Sequence, residues 1–201
     1  LQVTKGVLVI GGGVAGMEAA LGVAEQGFQA YLVEKTKALG GVATRLRSTW
    51  RGEPISDYVQ GLVKKVKHHP GIQIFMESEL KATSGVLGNF TSTLVSQNGQ
   101  GSPVTVDHGA TIIATGGQEY RPSEYLYGKH PGVLTHLDLD EAILRGEERV
   151  KKAQTAVFIQ CVGSRIPERP YCSKICCTHS LESALKLKDM NPDMNGFILY
   201  R

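Results

Sequence analysis

Apolar residues fall into short runs punctuated by glycine, and the runs alternate between two periods. Gly6 to Ile10 is a compact apolar run ending in glycines, and Val14 to Gln26 carries Met17, Ala20, Leu21 and Ala24 at helical spacing before Gly27. A second apolar run, Ala30 to Glu34, follows at once. This order predicts two parallel strands joined by a right-handed crossover helix. Ile55 to His69 has apolar residues at 55, 58, 59, 62, 63 and 66, which predicts an amphipathic helix ended by Pro70 and Gly71. Short β-like runs at Ile72 to Met76, Phe90 to Ser96 and Val104 to Val106 predict a small antiparallel ribbon. Ala110 to Ala114 returns to the buried-strand type and leads into Thr-Gly-Gly.

From Gln118 to Gly132 the composition turns to Pro, Tyr, Gly and charge, which predicts a loop or linker. Leu137 to Arg145 predicts a short helix. A strand at Ala156 to Cys161, a helix from about Ser173 to Lys188 and a strand at Gly196 to Tyr200 then begin a second unit. The expected fold class is therefore α/β: a Rossmann-like domain with a parallel sheet and a small antiparallel ribbon over residues 1–150, then the start of a second Rossmann-like unit over 151–201. A start without Met and a last strand at GFILYR lead us to expect a piece of a longer chain.

Composition narrows the classes. The formal net charge is only +3, and the 22 Lys and Arg are scattered apart from Lys64, Lys65 and Lys67, so no nucleic-acid stripe is expected and that cluster reads as a solvated helix face. Trp50 and Tyr58 are expected to be packing residues. No apolar run reaches the roughly 18 residues of a membrane span. Four cysteines, three of them clustered, suit a reduced, cytoplasmic setting better than a secreted disulfide framework.

GGGVAG at 11–16 places Gly11, Gly13 and Gly16 at the G-x-G-x-x-G spacing between a strand and a helix, with Glu34 ending the next strand. Gly11 allows the tight turn, Gly13 allows backbone to approach a pyrophosphate, and Gly16 allows helix to pack on strand. The N-terminal N–H groups around Val14 and Ala15 then face the phosphates, and Glu34 accepts from an unphosphorylated ribose. FAD and NAD share this cradle. Two features favour FAD: Lys35 to Gly41, with the pair Gly40 and Gly41 after the ribose-binding strand, and the strand ending in Ala114, Thr115 and Gly116, where the chain passes close to the cofactor.

The thiols are spaced C-x10-C-x3-C-C at Cys161, Cys172, Cys176 and Cys177, unlike dithiol, zinc or common ferredoxin spacings. If the chain is helical from Cys172, that thiol and Cys176 lie on one face, about 6 Å apart. Cys177 then lies about 100° around the axis and is the least secure ligand. Four thiolates meet the requirement of a [4Fe-4S] cluster. A zinc site held by all four cysteines, as a non-enzymatic scaffold, remains open. So does a dithiol of Cys172 and Cys176 in an NAD(P)H-dependent flavin disulfide reductase. The strand TAVFIQ runs into CVGSR with no second glycine fingerprint, so thiols stand where nicotinamide-dinucleotide phosphates would otherwise sit.

Taken together, FIQCVGSRIPERPYCSKICC, VLVIGGGVAGMEAALGVAEQG and ATIIATGG resemble the A-subunit family of heterodisulfide reductase, which includes the A subunit of the quinone-interacting membrane-bound oxidoreductase complex. The resemblance spans most of the chain. It implies a thioredoxin-reductase-like flavoprotein core that binds FAD and a [4Fe-4S] cluster and relays electrons among partner subunits, in some members by flavin-based bifurcation. It matches Gly11, Gly13, Gly16 and Glu34 to the FAD fingerprint, and Cys161, Cys172, Cys176 and Cys177 to the cluster ligands. Longer members carry ferredoxin-like modules with further cysteines, one after the segment matching Gly40 and Gly41. This chain has no cysteine before Cys161.

Overall fold

Nine strands and α-helices, with a 3-10 turn at Gly41–Arg45, build the first half of the chain in the computed structural model, which describes residues 2–97, 99 and 101–200. They are β1 (Gly6–Ile10), α1 (Val14–Glu25), β2 (Gln29–Val33), α2 (Ser56–His68), β3 (Ile72–Phe75), β4 (Ser78–Val86), β5 (Asn89–Ser96), β6 (Val104–His108) and β7 (Ala110–Ile113). The parallel sheet has the order β3-β2-β1-β7, and β4-β5-β6 form a separate antiparallel sheet. This unit comprises Leu1–Thr44 and Ser56–Gly117.

Strand periodicity explains its layers. Val7 and Val9 of β1 stand in register with Ala30 and Leu32 of β2, and these with Ile72 and Ile74 of β3. All point to the face packed by Met17, Ala20 and Leu21 of α1 and Leu62 and Val66 of α2. Leu8, Ile10, Val33 and Phe75 point the other way, onto Leu94 and Val106 of the antiparallel sheet. Both faces of the parallel sheet are thus covered, which accounts for its nearly continuous apolar strands.

Two expectations need correction here. Residues 72–76, assigned from sequence to the ribbon, supply β3, a parallel edge strand paired with β2. The ribbon instead begins with β4, which has a mostly exposed, polar sequence and an irregular register between Leu80 and Ala82. Strand β4 presents no clean apolar alternation, so period alone does not reveal it.

The second unit comprises Arg45–Ile55 and Gln118–Arg201. Its elements are α3 (His136–Leu144), α4 (Glu148–Lys151), β8 (Thr155–Ile159), α5 (Cys176–Met190) and β9 (Asn195–Leu199). The boundary expected at residue 150 therefore lies inside this unit. Strands β8 and β9 are parallel, Val157 opposite Phe197, with α5 as their crossover. Thr135 and Asp138 form a reciprocal capping box at the start of α3. Ala142, Val150, Phe158, Leu187 and Met194 make the apolar core.

Polar side chains are buried beside that core. His136 Nε2 is hydrogen-bonded to Ser180 Oγ at 2.7 Å, and His179 Nε2 to Asp140 Oδ2 at 3.1 Å, so α3 and α5 are joined twice. The two imidazoles stack at 4.8 Å between centroids. Arg47 adds a bond from its backbone N–H to Asp140 and a guanidinium contact at 2.5 Å to Glu182 on α5.

Burial, and then the neighbouring His179, lower the pKa of His136 from 6.5 to about 4. His136 is therefore neutral in the fold over a range where the unfolded chain is protonated. Its contribution is fully present above about pH 6.5 and is lost as pH falls toward about 4, with a total of about 3 kcal/mol. We predict that denaturant stability of the full-length protein drops more steeply between pH 7 and pH 4.5 than that of a His136→Gln variant. Parallel pH profiles for the two proteins would show that this imidazole is not the source.

Candidate functional site

The glycine turn lies at the C-terminal ends of β1, β2 and β7. Gly11 has φ 112, and a Cβ there would run into the Ala114 carbonyl just past β7. A Cβ on Gly16 would strike the Gly11 carbonyl oxygen, so this glycine sets how closely α1 lies on the turn. Gly13 differs, because a Cβ built on it meets nothing within 4 Å. It is the N-cap of α1, has no side chain, and leaves the helix start without a side-chain cap. The N–H groups of Val14, Ala15 and Gly16 thus open the helix toward unobstructed space, the geometry of an anion cradle.

A second glycine loop packs on the first. Gly40 N–H donates to the Gly12 carbonyl at 2.8 Å, Gly13 and Gly40 form an isolated parallel bridge, and a Cβ on Gly41 would come within 3.1 Å of Gly13 Cα. Lys35 is exposed on the loop between them. Thr115 and Gly116 follow β7, Gly116 with φ 66 and open space around it.

Glu34 is buried and already engaged. Its Oε2 accepts from Gly12 N–H at 2.7 Å, and its Oε1 accepts from both the N–H and the hydroxyl of Thr36 at 2.7 Å. Three of a carboxylate's roughly four acceptor positions are filled, leaving about one for a ribose hydroxyl. Sequence reasoning misses Gly12 and Thr36, which brace Glu34. The signal for Thr36 is a hydroxyl two residues past a strand-end carboxylate, a local turn pattern.

Cys161 follows β8 and Gln160, is buried, and has φ 62. Its carbonyl accepts from Ser164 N–H at 3.2 Å. Cys172 lies in the loop before α5, where Lys174 N–H points at its sulfur, 3.3 Å away. Lys174 has φ 60, which breaks any helix running back to Cys172, so α5 starts at Cys176 rather than near Ser173. This corrects the shared-face geometry expected for Cys172 and Cys176. Cys176 and Cys177 are the first two helical residues, and Cys177 is not displaced by a helix that includes Cys172. Partial desolvation, then Cys176, and then Cys161 and Cys172, push the Cys177 thiol above its ordinary pKa. All three other thiols therefore act electrostatically on this one. His179 is paired with Asp140.

All four cysteines are free. Among the described residues no group of three or more His, Cys, Asp or Glu side chains is arranged to hold a metal ion. The donor set nevertheless has the chemistry of an iron-sulfur centre: it supplies four thiols from one unit, and a cubane takes one thiolate at each of four separate corners. Among the described residues no helix is long and apolar enough to cross a membrane.

A parallel α/β sheet with these glycine contacts at its strand ends has the dinucleotide-binding class of fold. A family model described as FAD dependent oxidoreductase matches residues 6–119, and the chain belongs to that family. It is similar along its whole length to iron-sulfur A subunit 1 of the CoB–CoM heterodisulfide reductase of Methanopyrus kandleri, with 28% identity over 297 aligned positions, covering 100% of this chain and 44% of the relative. The corresponding A subunit of Methanocaldococcus jannaschii is 27% identical, again over 100% of this chain and 44% of its own. The chain thus spans less than half the length of these relatives. Because the first alignment is longer than the 201 residues here, that relative carries segments within the matched span that this chain lacks. Among solved structures, L-proline dehydrogenase from P. horikoshii has the same fold, with TM-score 0.57, 17% identity, and coverage of 98% of this chain and 35% of that one.

One substitution at two glycines separates structure from binding. Gly16→Ala is expected to destabilise the protein by about 3 kcal/mol through the clash with Gly11. Gly13→Ala, with room for its methyl group, is expected to cost only about 1 kcal/mol of stability yet weaken FAD binding tenfold or more, about 1.4 kcal/mol. Thermal unfolding together with flavin titration distinguishes the two outcomes. Unchanged flavin affinity in Gly13→Ala would remove this residue from the cofactor cradle.

Proposed function

We propose that this chain is part of an electron-transfer flavoprotein like the A subunit of heterodisulfide reductase, holding FAD in its first unit and a [4Fe-4S] cluster in its second. The single observation that carries the iron-sulfur reading is the placement of the four thiols in one unit, Cys161 just past β8, Cys172 in the loop before α5, and Cys176 and Cys177 opening α5, where Cys176, Cys161 and Cys172 each help to raise the Cys177 pKa. When bound, FAD takes up electrons in pairs and releases them singly, and an iron-sulfur centre exchanges one at a time.

The side chains place and tune rather than react. Gly11, Gly13, Gly16, Gly40 and Gly41 clear backbone for the dinucleotide, with Val14 and Ala15 N–H groups toward the pyrophosphate and Glu34, steadied by Gly12 and Thr36, toward the ribose. Lys35 lies on the intervening loop, and Ala114, Thr115 and Gly116 line the third edge. In the second unit Cys176 and Cys177 open α5, and Lys174 N–H points at the Cys172 sulfur. Arg165 Nη1 lies 3.9 Å from the Cys161 sulfur, which puts a cation beside that thiol.

The two relatives are subunits of heterodisulfide reductase by name, which supports a role for this protein with other subunits of an electron-transfer complex. Four free thiols suit a reduced, cytoplasmic compartment.

The test is anaerobic purification of the full-length protein, followed by metal and sulfide analysis and an ultraviolet-visible spectrum. These four cysteines are expected to account for about four iron and four labile sulfides, lost in a Cys161→Ala or Cys177→Ala variant while flavin stays bound. One zinc bound by these cysteines in place of iron would identify a scaffold site. NADPH-driven reduction of a Cys172–Cys176 disulfide without iron would identify a dithiol reductase. Either result overturns the iron-sulfur reading.

A further inference from the structure

Cys161 lies in the turn just past β8 and the Cys176–Cys177 pair opens α5, and something must fix their separation. The sheet does not do so: β8 pairs with β9, and α5 is the crossover between them. The direct link is a buried side-chain contact. Gln160, the residue before Cys161, donates from Nε2 to Ser180 Oγ on α5. Gln160 is 5% exposed and Ser180 is fully buried. Ser180 lies four residues after Cys176, hence on the same helix face one turn below it. One hydrogen bond therefore ties the residue adjoining Cys161 to the helix turn that carries Cys176.

The contact is itself anchored. Ser180 Oγ is held at 2.7 Å by His136 Nε2 on α3, and His136 packs at 6.3 Å between ring centroids on Phe158 of β8. The next residue along α5, counting back, is His179, bound to Asp140 one turn along α3. At the other end Gln160 N–H donates to the Leu199 carbonyl at 2.8 Å, so its backbone extends the β8–β9 ladder. Gln160 Oε1 has no hydrogen-bond partner among the described residues, which leaves the Ser180 contact to orient the amide. A buried amide with one end unsatisfied is costly in a position that an apolar side chain would fill without penalty. Its directional bond to Ser180 fixes an angle that apolar packing in the same position would not.

We propose that Gln160 and Ser180 are positioning residues that set the spacing of Cys161 from Cys176 and Cys177, so that assembly and retention of the iron-sulfur cluster depend on a hydrogen bond containing no ligand. This rests on the iron-sulfur reading above. Outer partners of metal ligands commonly affect metal affinity by about 10- to 100-fold. Removing the hydroxyl in Ser180→Ala frees the Gln160 amide, and the residue adjoining Cys161 is then held by the β8–β9 ladder without its tie to α5. Ser180→Thr keeps the hydroxyl and preserves the brace.

The experiment uses full-length protein prepared anaerobically as wild type, Ser180→Ala, Ser180→Thr, Gln160→Leu and Cys161→Ala. Iron, sulfide and flavin per chain, the rate of iron loss to a chelator, and the electron paramagnetic resonance spectrum of the reduced protein are recorded for each. Ser180→Ala and Gln160→Leu are expected to retain flavin and helical circular dichroism, to lose iron to the chelator about tenfold faster or more, and to show altered resonance line positions. Ser180→Thr is expected to match wild type. Should Ser180→Ala fail to fold, Gln160→Leu decides the matter, because it leaves the Ser180–His136 bond in place. Wild-type iron retention and an unchanged spectrum in Gln160→Leu overturn the brace while leaving the cluster reading intact. If Cys161→Ala keeps the same iron, sulfide and resonance signal as wild type, the cluster reading itself fails, and the brace with it.

Discussion

Helix α1 lies against the turn after β1 so closely that the Gly11 carbonyl oxygen fills the space a side chain at position 16 would need. Much of the first unit follows from that contact. It brings the free N–H groups of the α1 start to the ends of the parallel strands, where open α/β sheets bind their ligands. It requires Gly11 to turn with φ 112 against the Ala114 carbonyl, which draws the end of β7 beside the same turn. Glu34 completes the arrangement as a strut, tying the Gly12 N–H to the turn at Thr36 and so joining the ends of β1 and β2. The carboxylate is as much a structural member of the turn as a partner for a ligand.

What could be read from the sequence was what repeats. Strand β1, helix α1, strand β2, helix α2 and strand β7 were legible because each buries one face or both, and burial imprints a period of 3.6 or near-continuous apolarity. Strand β3 was legible as a strand but not in its pairing, because IQIF carries no mark of whether its neighbour is parallel. Strand β4 left no trace because most of its side chains are exposed. Trp50 and Tyr58, expected in packing, are 68% and 53% exposed, since an aromatic residue alone does not say which face it occupies.

The candidate sites were legible to different depths. At the glycine turn, residue type and spacing carry the geometry, because only glycine tolerates these contacts. At the thiols, the sequence gives membership but not arrangement: the positive φ of Lys174 moves the start of α5 to Cys176, and no propensity scale assigns lysine to that conformation. The polar set behind them was invisible. His136, Asp140, Ser180 and Ser183 have the side chains of a solvated helix face, yet Asp140 is 1% exposed and both serines are fully buried. Only the docking of α3 on α5 turns those residues inward.

That interior bears on what the second unit is for. Its apolar cluster is small, five buried residues among those described, while Gln160, Asp140, Ser180 and Ser183 occupy positions that apolar side chains would fill at lower cost. The thiol loop adds three non-glycine residues at positive φ, Cys161, Arg165 and Lys174, each destabilising by roughly 1 kcal/mol or more. Buried polar atoms and backbone strain both lower stability, and both fix direction: a hydrogen bond and a left-handed residue each hold a neighbouring group at a definite angle, which apolar contact does not. A unit shaped for stability alone would have neither. They gather beside the stretch that carries Cys161, Cys172, Cys176 and Cys177, so directional restraint, at a cost in stability, is concentrated where the sulfur atoms of this unit lie.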